Sequence, residues 1–512
     1  MIIEIEIKAY NDPWMDNALE NFYRTLKSFQ SCESEIGADF IRIKIRELGN
    51  FINELWKTLE HKKKNMIVIE VDEKTKTQKE VKKDYVIIQE EKKIGGKVAF
   101  KEEIYKSEKA REIIDEIFSS EEGENRCILC ERPFKKSVKK LQQANYPFVT
   151  KIASLSGIRS YKDGFSISLK EYYDNLCPWC YFIGVFEWTD DGFIYRTFPR
   201  EKSLVFLPQF GDLKTLHMFK EKISNSGILD FKGRYSNIKV SVKVEEFENT
   251  PGEFSTLLCF YEKFVEISQE ENLISEWVVL EVPFGAVKNI KTDFVKISSG
   301  ILNIIRNLKE SGRVERIYSD IIKKILFFSS KINGVEWEIT REIQEEVSSS
   351  FLTDDFRSFT RTLMPKKGGY VVFSSEVRKN LEELIFEWRW KNMGVPKENL
   401  DSIRSVGNIV AKISKNNASL LYKLDKTRTI NEFWSVMREI SRKLVGLEEE
   451  DLKMVKPTAI DELIQLTKEI TEKGEKDSWK EVRDLIVVYA SIFYSIDKMS
   501  KTQQKVVQQG GE

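Results

Sequence analysis

Cys127-Ile-Leu-Cys130 and Cys177-Pro-Trp-Cys180 are the residues of this chain whose type and spacing point most directly to a chemistry. Two residues between cysteines let both sulfurs of a tight turn converge on one ion at about 2.3 Å, and two such knuckles supply four ligands. Four thiolates fill the tetrahedral shell of Zn2+ and leave no open position. The site therefore reads as structural, a clip between remote chain segments. Two other readings stay open on spacing alone. Cys-Pro-Trp-Cys also has the form of a thiol–disulfide motif, in which a helix start lowers one thiol pKa. A third, plainer reading has all four cysteines as core residues without a ligand. The second CxxC, and the lack of a βαβ frame around either, weigh toward metal. Cys32 and Cys259 stand alone and read as buried apolar residues.

The segment between the first and last of these cysteines is basic. Arg132, Lys135, Lys136, Lys139, Lys140, Lys151, Arg159, Lys162 and Lys170 face only Glu131, Asp163, Glu171 and Asp174, giving +5 in a chain of zero net charge. Lys135, Lys136, Lys139 and Lys140 lie beside Pro133-Phe134, a combination suited to phosphate contact. A second basic stretch runs from Arg404 to Lys443, where nine cations oppose three carboxylates. Its Lys412, Lys415, Lys423 and Lys426 are candidate contacts to a nucleic-acid backbone. The plain alternative for both stretches is a solvated lysine face.

Much familiar chemistry is missing. There is no GxxxxGK[ST], no GxGxxG after a strand, no HExxH and no GxSxG. His61 and His217 occur singly, one at a polar helix end and one on an amphipathic helix. The expectation is a protein that is not an enzyme. Six cysteines in 512 residues, four of them in CxxC pairs, match metal-site usage in a reducing compartment. With no apolar run of about 20 residues and a charged opening, Met1-Ile-Ile-Glu-Ile-Glu-Ile-Lys, the expected location is the cytoplasm, with no membrane contact.

The elements that must position these residues follow from periodicity. Ile3, Ile5 and Ile7 alternate with Glu4, Glu6 and Lys8 as a strand, and Asp12-Pro13 caps a helix over 13–28. A helix at 45–63, strands at 66–71, 84–89 and 97–105, and a helix at 106–119 precede the cysteines. Strands at 193–198 and 204–207, a helix at 211–225, and strands at 234–247, 254–264 and 275–283 follow. Helical spacing then dominates, at 375–393, 398–414, 416–424, 429–446, 456–472 and 478–499, the last opened by Ser478-Trp-Lys-Glu481. Pro365-Lys-Lys-Gly-Gly369 is the expected boundary. The fold class is thus α+β. A mixed α/β part, 1–370, carries a zinc-binding insertion at about 121–186 that forms its own subdomain, and an all-helical bundle covers 371–512.

Two remote CxxC knuckles, the second as Cys177-Pro-Trp-Cys180 followed by aromatics, resemble those of the CRISPR-associated CXXC-CXXC family, large subunits of type I Cascade surveillance complexes. The opening Asp12-Pro-Trp-Met-Asp16-Asn17 is similar to that family's start, and Val406-Gly-Asn-Ile-Val-Ala-Lys412 to its terminal bundle. The resemblance implies a non-catalytic antiviral-defence subunit with structural Zn2+. Its partners would be guide RNA, target DNA, Cascade backbone subunits and a helicase-nuclease. It would recognise the protospacer-adjacent motif in the DNA while guide pairing reads the target. Two other classes stand beside it: a zinc-containing interaction scaffold with no nucleic-acid role, and a CxxC oxidoreductase.

Overall fold

The alternating isoleucines form β1 (Ile3–Lys8) in a computed structural model of the chain. The structure describes residues 2–61, 63–71, 78–86, 91–94, 97–100, 117–118, 123–135, 176–186, 194–197, 202–226, 252–267, 276–283, 291–393, 397–415, 417–473 and 478–509. Contacts gather the chain into two compact units, Met1–Thr250 with Leu273–Lys296, and Pro251–Asn272 with Ile297–Glu512. The fold is α+β, and its carboxy-terminal region is helical.

In the first unit, β1 pairs antiparallel with β3 (Phe40–Ile45), which also pairs with β2 (Cys32–Ile36). The register sets Ile3, Ile5 and Ile7 against Ile45, Ile43 and Ile41, so one face of the sheet is apolar. Ile41, Ile43 and Ile45 are fully buried there. On the other face Arg42 meets Glu6 at 2.9 Å, Glu4 at 3.3 Å and Glu35 at 3.6 Å, marking the solvent side.

Helix α1 (Pro13–Leu26) lies on the apolar side. Asp12 caps it as its sequence predicts, accepting from the Trp14 and Met15 amides at 3.0 and 2.9 Å, with Pro13 at the first helical position. This helix is buried nearly all round, which ordinary surface helices are not. Its polar residues are consequently paired inside. Glu20, fully buried, meets His217 Nδ1 at 2.8 Å, Arg24 at 2.9 Å and Lys220 Nζ at 3.5 Å. A buried carboxylate persists only when compensated in this way.

Next come α2 (Leu48–His61), the hairpins β4 (Lys63–Val71) with β5 (Gln78–Val86) and β6 (Glu91–Ile94) with β7 (Lys97–Phe100), and a small hairpin of β8 (Asn125–Arg126) and β9 (Pro133–Phe134). They are followed by α3 (Pro178–Val185), β10 (Ile194–Thr197), β11 (Lys202–Pro208) and α4 (Leu213–Ser226). A four-stranded antiparallel sheet runs in the order β10-β11-β12-β13, with β12 (Glu276–Pro283) and β13 (Lys291–Lys296).

The strand expected at 254–264 is instead helix α5 (Glu253–Ile267), and it belongs to the second unit. Leu257, Tyr261 and Phe264 recur at i, i+4 and i+7 and are all buried, so helical period outweighs the local aromatic bias toward strand. The Glu345 carboxylate caps its start, accepting from the Gly252 and Phe254 amides at 3.0 and 2.9 Å. The expected strand at 234–247, and most of the helix at 106–119, lie outside the described residues.

The second unit continues with α6 (Ser299–Glu310), α7 (Ile317–Asp320), β14 (Leu326–Ser329), β15 (Gly334–Val335), α8 (Trp337–Leu352), α9 (Phe356–Leu363) and β16 (Gly369–Val372). The bundle is α10 (Ser375–Trp388), α11 (Lys397–Ser414), α12 (Ser419–Asp425), α13 (Ile430–Leu444), α14 (Glu449–Lys453), α15 (Ala459–Lys473) and α16 (Ser478–Gln509). The boundary expected at 365–369 is corrected. Lys366–Gly369 is a hairpin turn within this unit, and it delivers β16 to pair with β14 from Leu326↔Val372 to Ser329↔Gly369. Gly368 adopts φ +91°, which glycine supplies without strain. The real division falls near 250 and 273–296, because α5 packs on α6 and α8 while the strands after it rejoin the first unit's sheet.

Helix α11 crosses α16 at Gly407, where a Cβ would stand 2.7 Å from Tyr489 Cβ and 3.1 Å from the Ala490 amide. The expected effect of Gly407→Ala is a loss of about 1–3 kcal/mol, read as a lower denaturation midpoint. A pH effect arises at Glu262, whose carboxylate accepts from the Tyr318 amide at 3.0 Å and is pushed up to about 7 by burial. A carboxyl raised in the fold stabilises fully below its unfolded pKa, and that contribution fades as pH climbs through about 7. Glu262→Gln keeps an acceptor without the charge. Relative to wild type it should gain stability between about pH 4.5 and pH 7.5, on the order of 3 kcal/mol by the upper end, in parallel melts.

Candidate metal centre

The first knuckle is built by a hairpin. β8 and β9 pair Asn125 with Phe134 and Arg126 with Pro133, and the Cys127 amide extends the ladder by donating to Arg132 O at 3.0 Å. The chain then reverses through residues 127–131, where the Glu131 amide donates to Cys127 O at 3.0 Å and Glu131 takes φ +59°. This places both sulfurs on one side of the turn. Gly123 lies so close to the hairpin that a Cβ would meet Phe134 O at 2.2 Å.

The second knuckle is a helix start. Cys177 is the N-cap of α3 and Pro178 its first residue, so Cys180 follows within the first turn. The Cys180 amide donates toward Cys177 Sγ at 3.4 Å, and the Cys177 amide toward Cys127 Sγ at 3.3 Å. Amides at a helix N-terminus favour negative sulfur, as they favour other anions.

The two knuckles converge. Cys127 Sγ lies 3.7 Å from Cys180 Sγ and Cys130 Sγ lies 3.6 Å from Cys177 Sγ, and all four sulfurs fall within 4.8 Å of one another. A tetrahedron with metal–sulfur bonds of about 2.3 Å has edges of about 3.8 Å. The spacing fits that shell, and the cysteines are free thiols rather than disulfides. Cys127, Cys177 and Cys180 are buried and Cys130 is partly exposed. Burial pushes the Cys180 thiol up, and its three cysteine neighbours add to the effect. Several thiolates cannot share such a place unless a cation offsets their charge, so the donor set matches a thiophilic metal ion.

Helix α1 supports the second knuckle. Trp14 Nε1 donates to Gly184 O at 2.8 Å and Asn21 Nδ2 to Phe186 O at 3.2 Å, holding the far end of α3. The Phe22 ring meets Trp179, Phe182 and Phe186 edge-on at 6.4, 6.2 and 4.9 Å. Tyr10 Oη stands 3.4 Å from Cys180 Sγ. Sequence reasoning placed Asp12-Pro-Trp in a helix start but gave no sign that Tyr10, Trp14 and Phe22 back the cysteines. Chain separations of about 160 residues carry no local signal.

The expected separate subdomain is revised at its described ends. Cys127, Phe134, Leu176, Cys177, Cys180, Phe182, Ile183 and Phe186 share one buried cluster with Trp14, Phe22 and Ile41. The knuckles thus belong to the first unit's core, where Phe22 meets Trp179, Phe182 and Phe186. Residues 136–175 between them, with Lys136, Lys139 and Lys140, lie outside the described residues, and Lys135 is exposed.

Five of the nine cations of the second basic stretch, Arg404, Lys412, Lys415, Lys423 and Lys443, pair with carboxylates within their own unit. Lys412 is 8% exposed, 2.8 Å from Asp497 and 3.6 Å from Asp451. Lys415 pairs with Asp451 at 3.0 Å and Lys423 with Glu439 at 2.5 Å. Arg404 pairs with Glu382 at 2.9 Å. Burial removes Lys412 from any backbone contact, and of the four lysines singled out only Lys426 is exposed without a carboxylate partner among the described residues. Glu382, Asp451 and Asp497 lie outside the stretch, which is why a local count of charge missed them, whereas Glu439 lies within it. His217 is buried against Glu20 and Lys27, a packed position rather than a solvent-open one.

The purified chain should carry one equivalent of metal by elemental analysis. Cys127→Ser or Cys177→Ser should release it and abolish the first unit's thermal transition, because metal binding and folding are linked at such sites. Full metal-free stability would overturn the assignment. No family model matches this chain, and no curated protein matches it.

Proposed function

We propose that this chain is a non-catalytic large subunit of a type I CRISPR surveillance complex, with structural Zn2+ in the four-cysteine centre. It would bind the guide-RNA ribonucleoprotein and target DNA, take part in recognising the adjacent motif, and receive the helicase-nuclease. The observation that carries the reading is the junction of α1 with the second knuckle. The helix begun by Asp12-Pro-Trp-Met-Asp16-Asn17, the softer match, and the helix begun by Cys177-Pro-Trp-Cys180, part of the cysteine pattern on which the resemblance rests, pack against each other through Trp14 with Gly184 and Phe22 with Trp179. The third, Val406–Lys412, forms the close crossing of α11 and α16 through Gly407. Two of the matched segments thus open helices that together back the cysteine centre, which supports the reading. On this reading zinc pins the core and the surface meets nucleic acid and neighbouring subunits.

The internal pairing of Lys412, Lys415 and Lys423 favours a second reading, a zinc-containing interaction scaffold with no nucleic-acid role. An affinity pull-down from the native cell, with small RNAs sequenced and proteins identified, separates the two. Repeat-flanked guide RNAs with backbone subunits are expected for the first. A zinc protein retaining protein partners but no RNA would overturn it in favour of the second.

A further inference from the structure

The second unit holds a cleft of about 600 Å³, within the size range of small-molecule sites. Its mouth is formed by the turn Lys366–Gly369, one wall by α12 and its end, and the other by α16. Two kinds of side chain dominate it. Four lysines, Lys366, Lys367, Lys426 and Lys498, and three tyrosines, Tyr370, Tyr422 and Tyr494, are among its lining residues. No aspartate or glutamate is among its lining residues.

Lys412, Lys415 and Lys423 nearby in sequence all reach carboxylates. Lys366, Lys367 and Lys426 are exposed and have no carboxylate partner among the described residues. Like charges gathered around one concavity repel unless an anion joins them, and low-dielectric walls focus the resulting field.

The frame is fixed before any ligand arrives. The turn is closed by Lys366 N to Gly369 O at 3.0 Å and Gly369 N to Lys366 O at 3.1 Å, and Ser330 N holds Gly368 O at 2.8 Å. Gly369 is pressed against Phe327 and the Phe328 carbonyl, so the turn has no room to slide. The Tyr422 hydroxyl donates to Pro365 O, which orients that ring at the cleft wall. Tyr370 and Tyr494 meet edge-on at 6.4 Å, and Lys498 Nζ stands 5.4 Å from the Tyr494 ring centre. Amphipathic rings beside ammonium groups recognise a ligand that is planar at one end and anionic at the other.

We propose that this cleft binds a nucleotide unit, with its phosphate among the lysines and its base against the tyrosines. The chemistry is shared by a free 5′-mononucleotide and by one residue of a single strand. The site stands on its own geometry and does not depend on membership of a CRISPR complex, so it is tested on the purified full chain without partners.

Binding is measured by calorimetry with 5′-AMP and with a twelve-residue oligothymidylate, using adenosine and inorganic phosphate as component controls. Lys367→Ala/Lys426→Ala is one variant, and Tyr494→Leu is a second that removes a ring while keeping the lysines. Both lysines are exposed, so an unchanged melting temperature certifies the first variant as folded. The expected result is a loss of affinity of about ten-fold or more in each variant. The salt dependence should flatten in the lysine variant only. Binding of 5′-AMP as well as the oligonucleotide assigns a free-nucleotide site, and binding of the oligonucleotide alone assigns a strand site. Either supports the cleft if the variants respond. No binding of either probe at 1 mM, or wild-type affinity in the folded lysine variant, overturns it.

Discussion

Four sulfurs within 4.8 Å of one another, three of them from buried cysteines, form a set that repels itself once ionised. A cation at the centre would relieve that repulsion, and the arrangement bears on more than the site. Cys127 and Cys130 sit on a hairpin, Cys177 and Cys180 on a helix start, and neither element is long enough to persist alone. An eight-residue helix is marginal in water. Helix α1 supports α3, with Trp14 and Asn21 holding its last carbonyls, and a metal ion on Cys177 and Cys180 would grip its first turn.

This dependence explains why α1 is buried nearly all round. One side covers the isoleucine sheet and another meets Trp179, Phe182 and Phe186. A third presents Glu20 to Lys220 and His217 on α4. A helix with three partners needs polar residues inside, and each makes a specific bond, Asn17 Nδ2 to Pro208 O, Asn21 Nδ2 to Phe186 O and Glu20 to its cations, with Asn17 Oδ1 left buried without a partner. The metal centre is therefore an extension of the first unit's core rather than an appendage to it.

How legible this was depended on how local the signal is. The α1 cap could be read from Asp12-Pro13 because capping involves neighbours, and the helices of the bundle could be read from period alone. The four cysteines announced one another because metal-ligand spacing leaves few alternatives. What escaped depends on distant partners. β2 and β3 sit in a stretch rich in charge, and they exist because Ile41, Ile43 and Ile45 pack under α1. The strand expected at 254–264 is a helix because its apolar face meets α6 and α8. Basic runs misled for the same reason, since the acids that neutralise Lys412 and Lys415 are 36 to 85 positions away.

The contrast between neutralised and unneutralised lysines also says what kind of surface the second unit presents. Pairing Lys412 and Lys415 with Asp451 and Asp497 ties α11, α14 and α16 together, so those cations act as internal braces. A buried or half-buried pair of that kind is costly to break, because parting it strands one charge in low dielectric. Such lysines are poor candidates for a contact that must form and release. Lys366, Lys367 and Lys426 carry no comparable internal duty among the described residues, and rigid backbone or fixed rings hold the wall around them. Lys366, Lys367 and Lys426, exposed and without a carboxylate partner among the described residues, meet at one cleft, where they can face an outside anion.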